Sequence, residues 1–85
     1  MRHKEVDVYL FKMMSFYIRA MGYKEDPQDR GYFLKGDNWI KLNPNNMWSI
    51  TYKREGKVTI IPINSRDSYD TIMKMFKKEI INDKN

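Results

Sequence analysis

Cysteine is absent from this 85-residue chain and histidine occurs once. Without a thiol there is no disulfide framework, no thiolate zinc site and no cysteine nucleophile, so a cytoplasmic address is the expectation. His3 lies near the start of the sequence and reads as a solvated side chain, which leaves no partner for a nucleophile–histidine pair. The longest apolar-rich stretch, 6–21, is broken by Asp7, Lys12 and Arg19, so it is neither a transmembrane span nor laid out as a signal peptide. The only glycines are Gly22, Gly31, Gly36 and Gly56. Each falls at an expected element boundary, and none belongs to a glycine-rich phosphate loop. Glu25, Asp26 and Asp29 are close together but lack the spacing of a calcium loop, and read as a solvated acidic loop. No cofactor or metal is expected, and an enzyme is the most distant of the functional readings.

What is present is one core's worth of apolar residues, 41% of the chain, with two tryptophans, six tyrosines and four phenylalanines among them. At this size only one domain, 1–85, can be supported, and the large rings supply much of its stability. Lysine, asparagine, isoleucine, tyrosine and phenylalanine are heavily used. All are encoded by AT-rich codons, which fits a low-GC bacterium or one of its phages. The formal net charge of +5 favours acidic partners by long-range attraction without identifying them.

Apolar positions Val6, Leu10, Met13, Tyr17 and Met21, three and four apart, predict a helix over 3–21 that stops at Gly22. A polar loop, 23–31, follows. Strands are expected at 32–35, 38–43, 47–53 and 57–63, joined by Gly36-Asp37, Pro44-Asn45-Asn46 and Arg54-Glu55-Gly56. A last helix over 66–81, capped by Ser65 or Asp67, carries Tyr69, Ile72, Met73, Phe76 and Ile80 on one stripe. Residues 82–85 are a frayed tail. The expected fold is therefore α+β: an α-β-β-β-β-α domain, with a four-stranded antiparallel meander carrying both helices on one face.

Two surfaces are candidates for binding. Alternation places Tyr32, Leu34, Ile40, Leu42, Trp48, Ile50, Tyr52, Val58 and Ile60 toward the helices. Phe33, Lys35, Trp39, Lys41, Ser49, Thr51, Lys53, Lys57 and Thr59 then face away. On this outer face Phe33 and Trp39 supply rings for base stacking, and Lys35, Lys41, Lys53 and Lys57 supply charge for phosphates. A plain water-facing sheet would carry the same lysines and threonines. The second surface is the first helix, whose apolar residues cover more than one sheet can bury. Phe11, Met14 and Ile18, or Tyr9 and Phe16, are expected to project into a partner or a second copy of the chain, unless the last helix and the 23–31 loop cover them. Lys74, Lys77 and Lys78 form a stripe on the last helix that reads as solvent-facing.

The order helix, antiparallel meander, helix resembles that of double-stranded-RNA-binding domains and of small RNA-targeting toxins on the same plan, and Met21-Gly22-Tyr23 after the first helix looks like the toxins' opening. The toxins carry a histidine in the first hairpin, and the RNA-binding domains a lysine cluster where this chain has Ser65-Arg66-Asp67-Ser68. The chain is assigned to neither. Two functions remain. One is a non-enzymatic, protein-binding module of phage or mobile-element type that occludes and inhibits a host protein in the host cytoplasm. The other is a single-stranded DNA- or RNA-binding domain using the sheet face. The spread of positive charge over all elements, with Asp37, Glu55 and Asp67 among them, favours the first, because strong phosphate binding needs a concentrated patch.

Overall fold

A computed structural model describes residues 4–44 and 47–81, with the side chains of 7–44 and 47–81. The expected helix start at His3, the tail 82–85 and most of the 44–46 turn lie outside the described residues. The elements run α1 (Lys4–Ala20), β1 (Lys24–Glu25), β2 (Tyr32–Lys35), β3 (Asn38–Asn43), β4 (Ser49–Arg54), β5 (Lys57–Pro62) and α2 (Tyr69–Phe76), which continues into a π-helical turn, Lys77–Ile81. The fold is α+β, with one antiparallel sheet of order β1-β2-β3-β4-β5.

Helix α1 ends as its sequence directs. Gly22 takes φ +98°, its N–H donates to Arg19 O at 2.9 Å, and the Tyr23 N–H reaches Ile18 O at 3.4 Å. That pair of bonds is a Schellman cap, which needs the left-handed residue that glycine supplies. The chain then departs from the expected loop and forms a fifth strand. Lys24 and Glu25 pair with Leu34 and Phe33, a ladder too short to leave any alternating pattern in the sequence. Residues 26–31 return the chain through a turn in which Asp26 Oδ1 accepts the Gln28 N–H and the Tyr32 N–H donates to Asp29 O.

Helix α2 is capped by Ser68, not by Ser65 or Asp67. The Ser68 hydroxyl oxygen accepts the Thr71 N–H at 3.2 Å, and Asn64 instead organises the preceding turn through the Arg66 and Asp67 N–H groups. Its last turn widens into the π-helical segment. There the Arg54 guanidinium, reaching across from β4, donates to Ile80 O at 2.9 Å and holds carbonyls that a helix end leaves open.

The buried residues form one cluster. Leu10, Met14 and Ile18 of α1 and Ile72, Met73 and Phe76 of α2 meet Phe33, Ile40, Leu42 and Ile50 of the sheet, with Tyr23, Trp48, Ile63 and Ile80 completing it. The expected inward positions of β3 and β4 are found there. Those of β2 and β5 are reversed. In β2 the fully buried residue is Phe33, and Leu34 is exposed; in β5 Val58 and Ile60 are 54% and 65% exposed, while Ile61 packs on the core.

Hairpin pairing sets both phases, in β2 through the expected turn and in β5 through a shorter one. The Gly36-Asp37 turn pairs Lys35 with Asn38, which puts Phe33 opposite the buried Ile40 and Leu34 opposite Trp39. Across the last hairpin the turn is Glu55-Gly56 rather than Arg54-Glu55-Gly56, so Arg54 pairs with Lys57 and Tyr52 with Thr59. Both turn residues take positive φ, +55° and +79°, the arrangement of a type I′ hairpin. Removing one residue from the turn moves every β5 side chain to the other face.

Candidate docking face on the open side of the sheet

The register assembles the uncovered face row by row. One row crosses all five strands as Lys24, Leu34, Trp39, Lys53 and Val58, and the next contains Tyr32, Lys41, Thr51 and Ile60. Trp39 and Tyr32 meet edge to face with ring centroids 5.9 Å apart. Lys41 lies 5.6 Å from the centre of the Tyr32 ring and forms an ion pair with Asp29, so its charge is partly committed inside the molecule. The two half-buried rings thus adjoin the exposed Leu34, and the exposed Val58 and Ile60 sit together on β5, across Lys53 and Thr51 from the rings. Lys24 and Lys53 stand among them.

Only part of the sequence-derived stacking surface is on this face. Trp39, Lys41 and Lys53 are there. Phe33 is in the core, because its partner Ile40 is. Lys35 shares the side of Phe33; its Nζ donates to Met21 O at 2.7 Å and sits 5.7 Å from the Tyr23 ring, which ties the sheet to the end of α1. Lys57 also points to that side, at the exposed end of β5. Leu34, Val58 and Ile60 take the vacated places. The signal that locates them is turn length, which sets strand phase before any hydrophobicity is considered.

The candidates on the first helix divide. Met14 and Ile18 are fully buried and belong to the core, so neither projects into a partner. Phe11 is covered by the 26–31 loop, with the Arg30 guanidinium 5.9 Å above its ring, and Tyr9 leans on Tyr69 of α2 at 5.1 Å. Phe16 remains 61% exposed, its ring touching only Tyr17 edge-on at 5.6 Å among described aromatic contacts. The loop therefore covers Phe11, whereas Val8 and Tyr9, like Phe16, stay about half exposed on α1.

The acidic loop residues are used internally. Glu25 accepts from the Arg19 guanidinium and from the Gly31 N–H, both at 2.7 Å. Burial pushes its carboxyl up, but the Gly31 N–H, the Arg19 hydrogen bond and the charges of Arg19 and Arg30 outweigh this and hold it below the ordinary carboxylate value. Asp26 supports its own turn and Asp29 pairs with Lys41. A cleft of about 440 Å³ lies beside this cluster, lined by Phe11, Lys12, Ser15, Arg19, Glu25, Asp26, Pro27 and Arg30. Among the described residues no group of three or more histidine or carboxylate side chains is placed to hold a metal, and no helix is long and apolar enough to cross a membrane. Lys77 of the basic stripe folds back to lie 5.0 Å from the Tyr17 ring.

No protein-family model matches this chain, and no curated protein or solved structure matches it either.

Proposed function

We propose that this chain is a small non-enzymatic binding module that docks a protein partner on the open sheet face. One observation carries the reading: on a single face Leu34 is exposed beside Trp39 and Tyr32, and Val58 and Ile60 are exposed beside each other on β5, with Lys53 and Thr51 of β4 between the two groups. Isolated exposed aliphatics are ordinary on a protein surface, whereas several gathered on one face mark interaction sites. The fitting partner presents apolar side chains to this strip and carboxylates to Lys24 and Lys53, helped by the net charge of +5. Composition and size support an accessory protein of phage or mobile-element type that occludes a host protein in the host cytoplasm.

The nucleic-acid alternative is weakened by Phe33. A stacking platform needs rings and free cations on one surface, and with Phe33 buried and Lys41 paired to Asp29 this face offers fewer of both.

A comparative capture experiment separates the readings. Tagged wild-type protein retains a partner from nuclease-treated bacterial lysate, and Ile60→Lys or Val58→Lys loses it while circular dichroism stays unchanged, because a lysine there costs nothing until water is excluded. Capture that survives both substitutions excludes this face. Capture that disappears with nuclease, together with salt-sensitive quenching of tryptophan fluorescence by single-stranded oligonucleotides, establishes the nucleic-acid function instead.

A further inference from the structure

Strand β5 closes one end of the sheet, and its ladder has a defined phase. The Ile63 N–H donates to Trp48 O at 2.8 Å, continuing the register in which Ile61 faces Ile50 and Thr59 faces Tyr52. In an antiparallel ladder hydrogen-bonded pairs alternate with non-bonded ones. Residues 57, 59, 61 and 63 therefore direct their backbone groups at β4, and Val58, Ile60 and Pro62 direct theirs outward from the edge. Lysine and proline are the residues that blunt sheet edges, and Lys57 and Pro62 bracket this strand. Between them Val58 and Ile60 present two N–H and two C=O groups to the open edge, from the same residues whose side chains are exposed on the open face.

We infer that β5 pairs with β5 of a second copy, antiparallel about a two-fold axis at Thr59. In that register Val58 faces Ile60 of the other copy, and every outward N–H and C=O of both residues is bonded. The side chains agree with the backbone. Val58 and Ile60 pair across the axis on the open face, Thr59 meets its symmetry mate on the inner face, and Lys57 falls opposite Ile61, so no like charges oppose directly. Pro62, which has no N–H to offer, falls opposite the turn residue Gly56, where the ladder ends. A partner strand of this character is the chain's own, because the edge is complementary to itself under a two-fold operation. The opposite edge, β1, has only two residues, so the assembly stops at two copies instead of growing into a fibre. The inference shares Val58 and Ile60 with the docking reading, and the outward backbone groups of the edge are what distinguish it.

Sedimentation and amide exchange test it on the full chain. The mass rises with concentration from 10.4 kDa toward twice that value, and the Val58 and Ile60 amides become protected in step. Ile60→Pro or Val58→Pro removes an outward N–H without touching the β4 ladder, and leaves a folded monomer. A mass of 10.4 kDa at every concentration overturns the inference. So does a dimer that survives both proline variants, or one abolished only by Phe16→Lys. Should the proline variants unfold, wild-type exchange decides: a doubled mass with Val58 and Ile60 still exchanging fast places the interface elsewhere. Protection of those amides only when a different protein is added assigns the edge to that protein's strand and also overturns self-pairing. Loss of lysate capture in Ile60→Lys with the dimer absent leaves the docking reading standing alone.

Discussion

Phe33 shows at the scale of one residue how a ring that looks like a ligand platform becomes a structural element. It is fully buried opposite Ile40, and the Arg19 guanidinium lies 5.6 Å from its ring centre. Phe33→Ala is expected to cost about 3–5 kcal/mol, the range for emptying a packed aromatic site. Trp39→Ala, on the half-exposed side, is expected to cost less and to act on binding. Urea denaturation of the two variants checks the pair, and equal stabilities would place Phe33 outside the core. Ser15 is the complementary case. Its hydroxyl is buried with no hydrogen-bond partner among the described residues, although helical spacing sets it on one polar stripe with Lys12 and Arg19.

At the scale of elements, the helices and the two central strands are legible because their apolar positions keep one period and no competing phase exists. Ile40, Leu42 and Ile50 alternate with polar neighbours; Ile72, Met73, Phe76 and Ile80 keep helical spacing. The outer strands are not legible in this way. Tyr32-Phe33-Leu34 is apolar in both phases, and Val58, Ile60, Ile61 and Ile63 fill both faces of β5, so alternation alone cannot orient either strand. The hairpins decide, and they set which residues the open face carries. Glu55 bears the cost, since a non-glycine residue at φ +55° is strained by its Cβ. Glu55→Asn, creating the Asn-Gly pair that type I′ turns favour, should stabilise the protein by up to about 1 kcal/mol. A higher urea midpoint at unchanged slope is the expected reading; a lower one would show that the Glu55 side chain supports the turn.

At the scale of the whole molecule, Glu25 joins three segments distant in sequence: α1 through Arg19, β1 by its own backbone, and the return loop through Gly31. Its carboxyl lies below the ordinary value when folded. The stabilisation is therefore complete above the unfolded carboxylate range and is lost as the pH falls through the lower folded value. With the Arg19 partner half exposed, its size is about 1 kcal/mol or less. Glu25→Gln should lower stability near neutral pH and flatten the acid limb of the stability–pH curve, as followed by thermal melts across that range. An unchanged acid limb would assign the acid sensitivity to other carboxylates.

The two-residue turn Glu55-Gly56 has a consequence for descent as well as for folding. Because both phases of β5 are apolar, one inserted codon at this hairpin would turn Val58 and Ile60 inward and Thr59 and Ile61 outward, leaving a buildable core in either case. A lineage could exchange the surface it exposes on this face in a single in-frame event, without altering any side chain it already has. That is a shorter path to a new surface than the gradual replacement of exposed residues.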